Sequence, residues 1–415
     1  MTVAVPALTR SAAVRIFLAF AFAYFFSALL RAVTATLAPE FARDLGLRAS
    51  DLGLLAGAYF AGFAALQLPL GTALDRRGPK RVLLVLLVVA VLGCAAFAMA
   101  DSLGGLILAR ALIGVGVAAC LMAPLTCYRA RFDPVTQLRA NSWMLMTGSF
   151  GMVASTLPVQ WLLPLWGWRA LFWVIAGMLL VAMLAIAWLV PADDLPAAEP
   201  SASTSATGYG SIIRHPMFVR SAPIGFVVYG GMVAIQALWA GPWLTQVAGW
   251  SASEAAGGLF AINLSMLVAF LSWGVVMPRL AASGVSVHRL VVRGVPFSLA
   301  WLALILCWPE PLGAWAWAVW CVACTFISLL QPAVGQAFPA AQAGRALSAF
   351  NLVIFGGVFV LQWGIGLLID ALTARGMPQA QAFRWALGVF GICGLLSYIW
   401  YGWPPRRWRA LPAGQ

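Results

Sequence analysis

Apolar stretches of about 20 residues follow one another almost without pause from residue 16 to residue 402, and each matches the run a helix needs to cross a hydrocarbon layer of roughly 30 Å. Such a chain cannot fold as a soluble domain, because 63% of it is hydrophobic and only 9% is charged. No stretch keeps the period-two alternation that the strands of a membrane barrel require. The expectation is therefore an all-α membrane protein. Twelve transmembrane helices are predicted, at approximately 16–38, 51–74, 81–100, 104–127, 141–164, 168–190, 221–245, 253–277, 289–308, 312–336, 346–371 and 381–402.

One polar interruption is long enough to matter. Pro191 to Gly210 is rich in Ala, Pro and Ser and carries Asp193, Asp194 and Glu199, a composition that cannot build a core. It predicts a six-helix bundle over 1–190, a cytoplasmic linker over 191–220 and a second six-helix bundle over 221–415. The two halves repeat: Tyr24 matches Tyr229, Pro39 matches Pro242, Ser50-Asp51 matches Ser253-Glu254, Gly71 matches Gly274 and Arg76 matches Arg279, with offsets of 205, 203, 203, 203 and 203. Chance pairs would not hold one offset so closely across two halves, so the bundles are pseudo-symmetric.

A formal charge of +13 suggests nucleic acid until the charges are placed. With the N-terminus inside, only Arg31, Arg43, Arg48, Arg110, Arg169, Arg375 and Arg384 of the 25 basic residues avoid the cytoplasmic side. That asymmetry is the positive-inside rule, so the basicity sets topology in a lipid bilayer and implies no nucleic-acid partner. Both termini are expected in the cytoplasm. Arginine outnumbers lysine 24 to 1, which fits the inner membrane of a bacterium with a GC-rich genome.

Between helices two and three lies a charged island, Gly71-Thr72-Ala73-Leu74-Asp75-Arg76-Arg77-Gly78-Pro79-Lys80-Arg81. One basic residue at the centre of a membrane helix costs roughly 2.5 to 3.5 kcal/mol, so both flanking helices must end here in a tight turn. Gly71, Asp75, Arg76, Gly78, Lys80 and Arg81 resemble the signature of the loop after the second helix in the major facilitator superfamily of secondary transporters. Ala73 and Pro79 depart from it outside its charged core. Arg110 with Gly114 and Gly116 in helix four is similar to a further pattern of that superfamily, whose Arg is associated with coupling, although Ile113 replaces the usual Gln. The resemblance implies alternating access by rocking of two halves about a midplane site. It also implies that Asp75 latches onto the N-terminus of helix eleven, near Ala346, and that Gly71, Asp75, Arg76, Gly78, Lys80, Arg81, Arg110 and Gly114 serve gating or coupling. A different reading of Arg110 is snorkelling to the outer surface.

Candidate substrate-binding residues come from the helix faces. Tyr24, Ser27, Arg31 and Thr34 are spaced three, four and three, so they stack on one side of helix one. The matching face of helix seven holds Tyr229, Gln236, Trp239 and Trp243, the last as readily packing or an interfacial anchor. Asn263, Gln331, Asn351 and Gln362 are further polar liners, each equally able to hold two helices together. Arg31 is read as the anion binder, with outer headgroups or Glu40 as its alternative partners.

Several classes are disfavoured. All 12 acidic residues fall in loops or at helix ends, nearest the hydrocarbon at Glu40 and Asp370, so a cation carrier's buried carboxylate is missing. The helix-five sequence Thr147-Gly148-Ser149-Phe150-Gly151-Met152 lacks the Gly-Pro signature of drug–proton antiporters. His215 and His288 lie in loops, and Cys321-x-x-Cys324 lies in an apolar helix, so no metal or other cofactor is expected. No catalytic pair marks an enzyme. The expected function is secondary transport of a small-molecule substrate, an organic anion, by proton symport or anion exchange, in a monomer. The alternatives are efflux by proton antiport and a sensor that keeps the fold.

Overall fold

Each of the twelve segments forms a helix in the computed structural model, which describes residues 10–192 and 209–403. The linker residues 193–208 and the side chain of Asp75 lie outside the described residues. The helices are α1 (Arg10–Leu45), α2 (Ala49–Ala65 and Gln67–Arg77), α3 (Pro79–Met99), α4 (Leu103–Arg131), α5 (134–166), α6 (168–189), α7 (Pro216–Val247), α8 (Ala252–Ala282), α9 (Val287–Cys307), α10 (Ala314–Gln336), α11 (Ala340–Ala374) and α12 (Gln379–Gly402).

Ten of these are long and apolar enough to cross a membrane as they stand, and α2, bent by 41° at Leu66, makes the eleventh. The twelfth, α5, is more polar but runs beside and parallel to α1 over the same depth. Gly148 lies against Tyr24, Gly151 against the Phe25 carbonyl, and the Thr36 hydroxyl donates to the Ser155 carbonyl at 2.8 Å. At Gly167, φ is +69°, a conformation open to glycine, and there the chain reverses from α5 into α6.

Several helices outrun their apolar cores. Helix α1 continues to Leu45 rather than ending near 38, because Glu40, Arg43 and Asp44 pair along its last turns and remain helical beyond the hydrocarbon. Helix α11 likewise begins at Ala340, not near Ala346. Within the stretch assigned to the linker, helical structure resumes at Tyr209–Ile213 and again at Pro216, where the His215 ring accepts from the Met217 N–H and Pro216 occupies the first turn. Helix α7 is wound through three π-helical turns, Gly225–Tyr229, Ile235–Trp239 and Trp243–Val247. Such turns concentrate at functional sites.

The end of the bundle that holds the α2–α3 turn is the basic end. Gly78 makes that turn with φ +81°. Lys80 donates from Nζ to the Ala187 and Val190 carbonyls at 2.7 and 2.6 Å, closing the last turn of α6. A cation at a helix C-terminus is worth typically 0.3–1 kcal/mol, rising to about 2 in partly buried geometry. Lys80→Met is therefore expected to cost about 1–2 kcal/mol of stability. A thermal melt shows this, while substrate affinity stays unchanged.

At the opposite end the halves meet backbone to backbone. A Cβ at Gly53 would fall under 3.0 Å from the Gln362 carbonyl, one at Gly366 under 3.0 Å from that of Ala49, and one at Gly241 under 3.0 Å from that of Ala35. The Asp370 carboxylate of α11 accepts from the Ala49 and Ser50 N–H groups at 3.2 and 2.9 Å. It caps the N-terminus of α2 from the other half of the molecule.

Candidate functional site

Arg31 sits midway along α1, and its neighbours come from both bundles. Its guanidinium carbon lies 5.6 Å from the ring centroid of Phe63 on α2 and 5.9 Å from that of Phe355 on α11. These two rings meet edge to face at 4.7 Å. The phenols of Tyr59, Tyr24 and Tyr229 are its polar surroundings, and its buried Nε has no hydrogen-bond partner. A cation over aromatic faces gains about 0.5–1 kcal/mol at exposed sites and roughly 2 when desolvated, far less than a carboxylate or phosphate would supply. Glu40 is not its partner, because that carboxylate is taken by Arg43.

A second arginine lies one layer away. Arg110 on α4 is 1% exposed, so it does not snorkel to the surface. It donates to the Leu30 carbonyl at 2.8 Å and to the Thr34 hydroxyl, and its guanidinium carbon lies 5.2 Å from the Tyr59 centroid. The Tyr59 phenol donates to the Ser27 carbonyl at 3.2 Å. Tyr59 thus stands beside both guanidiniums. Gly114 permits this layer, since its bare backbone lies against the Tyr59 carbonyl.

A polar bridge crosses between the halves closer to the basic end. Gln331 on α10 donates to Asn351 on α11, whose amide lies 3.5 Å from the Oε1 of Gln67 at the bend of α2. The structure therefore brings Tyr24, Arg31 and Tyr229 together, and places Gln331 and Asn351 on this bridge.

The other candidates make contacts of their own. Gln236 donates to Asn263 at 2.9 Å, and Asn263 donates to the Leu259 carbonyl at 3.1 Å, a link between α7 and α8. Trp239 stacks edge to face on Phe383 of α12 at 5.9 Å, and Trp243 donates to the Leu312 carbonyl at 3.0 Å. Gln362 is fully buried in the α2–α11 seam. The Ser27 hydroxyl is buried without a partner. Of the loop residues, Gly71 faces open space and Arg76 and Arg81 are exposed. Tyr59, Phe63, Gln67 and Phe355 escaped the sequence reading. An aromatic on a membrane helix reads as packing, and a single amide in an apolar run has no periodicity to betray it.

Two six-helix bundles touch along α1–α7 and α2–α11, and the half-buried Arg31 side chain lies between them. The Major Facilitator Superfamily profile matches residues 20–360, and the chain belongs to that superfamily of secondary transporters of small solutes. It is 26% identical over 184 residues to the multidrug resistance protein MdtL of Klebsiella pneumoniae, covering 44% of this chain and 46% of MdtL. It is 28% identical over 162 residues to the hexuronate transporter of Escherichia coli, covering 39% of this chain and 37% of that one. Each match thus spans less than half of the relative's length. The fold is similar to the crystal structure of a bacterial homologue of the human lysosomal transporter Spinster in an inward-facing, unoccupied conformation, with a TM-score of 0.74, 16% identity and coverage of 95% of this chain and 97% of that one.

Proposed function

We propose that this transporter carries a small organic anion across a bacterial inner membrane, by proton symport or anion exchange, with the basic end in the cytoplasm. Arg31 carries the reading: a guanidinium ringed by aromatics from both halves, with no carboxylate beside it among the described residues, is matched by a ligand's negative charge. Similarity to a hexuronate transporter supports the same class. Uptake into proteoliposomes, screened with aromatic and aliphatic carboxylates, sugar acids and lipophilic cations, tests it. Saturable uptake of an anion is expected, and saturable uptake of cations alone would reject it.

The second reading is drug efflux, favoured by the aromatic walls of Tyr59, Phe63 and Phe355 and by the likeness to MdtL. Under either reading the latches bias the two open states in opposite directions. Asp370 holds the outer end shut through the α2 amides, and the proposed partner of Asp75 is the N-terminus of α11 at the inner end. A carboxylate at a helix N-terminus gains roughly 0.3–1 kcal/mol. Asp370→Asn should shift the population outward-open about two- to fivefold and Asp75→Asn should shift it inward-open by a similar factor. Reporter cysteines at each end of a cysteine-free background read the shift, and equal accessibility in both variants rejects the latches.

A further inference from the structure

A crevice of about 650 Å³ opens at the basic end between α1, the end of α4 and the start of α5, and Arg31 is not among the residues that line it. Its rim is cationic, with Arg10, Arg131 and Arg139, and its floor is apolar, with Val14, Leu18 and Trp143 among its residues. Those three floor side chains are 49%, 57% and 52% exposed. The one acid on the rim, Asp133, is engaged in capping α5, accepting from the Thr136 N–H at 3.1 Å. Arg131 is tied to the Ala192 carbonyl, whereas Arg10 and Arg139 have no hydrogen-bond or ion-pair partner among the described residues.

Charge and apolarity are ordered by depth. From Arg10 to Leu18 the helix descends about 12 Å, which takes the wall from headgroup level into acyl level. On α5, Trp143 begins an exposed apolar stripe that continues through Phe150 and Trp161. The crevice lining reaches Leu18 on α1 and Trp143 on α5.

We infer that this crevice binds one anionic phospholipid of the leaflet at the basic end, its phosphodiester held by Arg10 and Arg139 and the start of an acyl chain laid along Val14, Leu18 and Trp143. The inference stands whichever substrate Arg31 takes.

The test uses the full chain in phosphatidylcholine nanodiscs, with a brominated acyl chain on either added phosphatidylglycerol or added phosphatidylcholine. The quenching due to Trp143 is the difference between wild type and Trp143→Phe. Brominated phosphatidylglycerol is expected to quench Trp143 at about thirtyfold lower mole fraction than brominated phosphatidylcholine, since each basic side chain near a membrane surface contributes roughly one factor of five. Arg10→Gln/Arg139→Gln should erase that preference without changing the melting temperature, and Arg10→Lys/Arg139→Lys should restore most of it. Native mass spectrometry should show one phosphatidylglycerol retained by wild type and lost from the Gln pair. Equal quenching by the two lipids overturns the inference, as does a preference that survives in the Gln pair. Displacement by millimolar inorganic phosphate would make this a soluble-anion site, and quenching seen only after removal of residues 2–9 would make the chain's own N-terminus the occupant; either overturns it.

Discussion

Replacing Arg31 by glutamine lowers affinity for an anionic substrate at least thirtyfold, and replacing it by lysine recovers only part of the loss. Truncating one member of a buried, hydrogen-bonded charge pair costs about 2–5 kcal/mol, or roughly thirtyfold upward. Lysine keeps the charge, but a compact ammonium cannot offer the two parallel N–H groups with which a guanidinium grips a carboxylate. The empty protein reports the opposite sign. Because Arg31 Nε is buried without a partner, glutamine should leave thermal stability unchanged or raise it. A purely structural arginine would lower stability and spare affinity, so isothermal titration beside a melt separates the roles. Normal anion affinity in Arg31→Gln, or tight binding of a cation by wild type, would end the anion reading and restore efflux.

Valine at Gly53 should abolish transport while the protein still folds. Its Cβ would be driven against the Gln362 carbonyl, and backbone on both sides of the α2–α11 seam cannot swing aside as a flexible side chain can. Overpacking of this kind typically costs 1–3 kcal/mol. In the proposed transport cycle the outer seam separates when the Asp370 latch opens, so the clash burdens only the outer-closed state. A differential of about 3 kcal/mol moves the equilibrium roughly 150-fold. Outer-end reporter cysteines should then label almost fully, uptake should vanish, and Gly53→Ala should fall between. Loss of the protein from the membrane, or unimpaired uptake, would show that the seam does not open during the cycle.

The near-constant offset between Tyr24 and Tyr229, Gly71 and Gly274, and Arg76 and Arg279 made the twelve-helix architecture legible, because duplicated bundles repeat their turn and cap residues. Arg31 was legible for a related reason: a charge on an apolar helix is expensive enough to stand out. Its surroundings were not. Phe63 and Phe355 are ordinary aromatics until α2 and α11 bring them to one guanidinium. Symmetry pairs Gln236 with Arg31, but its bond to Asn263, a neighbour on α8, has no spacing that a sequence would reveal. Asp370 was recognisable as an acid close to the hydrocarbon. Its partners are backbone N–H groups, which leave no mark in a sequence.

The reach of Lys80 bears on how the molecule is made. Its amine lies in the turn between α2 and α3, but the carbonyls it closes belong to Ala187 and Val190, 107 and 110 residues downstream. At elongation rates of about 5–20 residues per second, the ribosome needs roughly 5 to 20 s after making Lys80 to supply them. During that interval the turn emerges as a bare cluster of positive charge, able to hold its flanking helices in their correct orientation, and it becomes a fastener only when α6 arrives. One lysine thus acts first as a topological marker and later as the clasp that completes the first bundle.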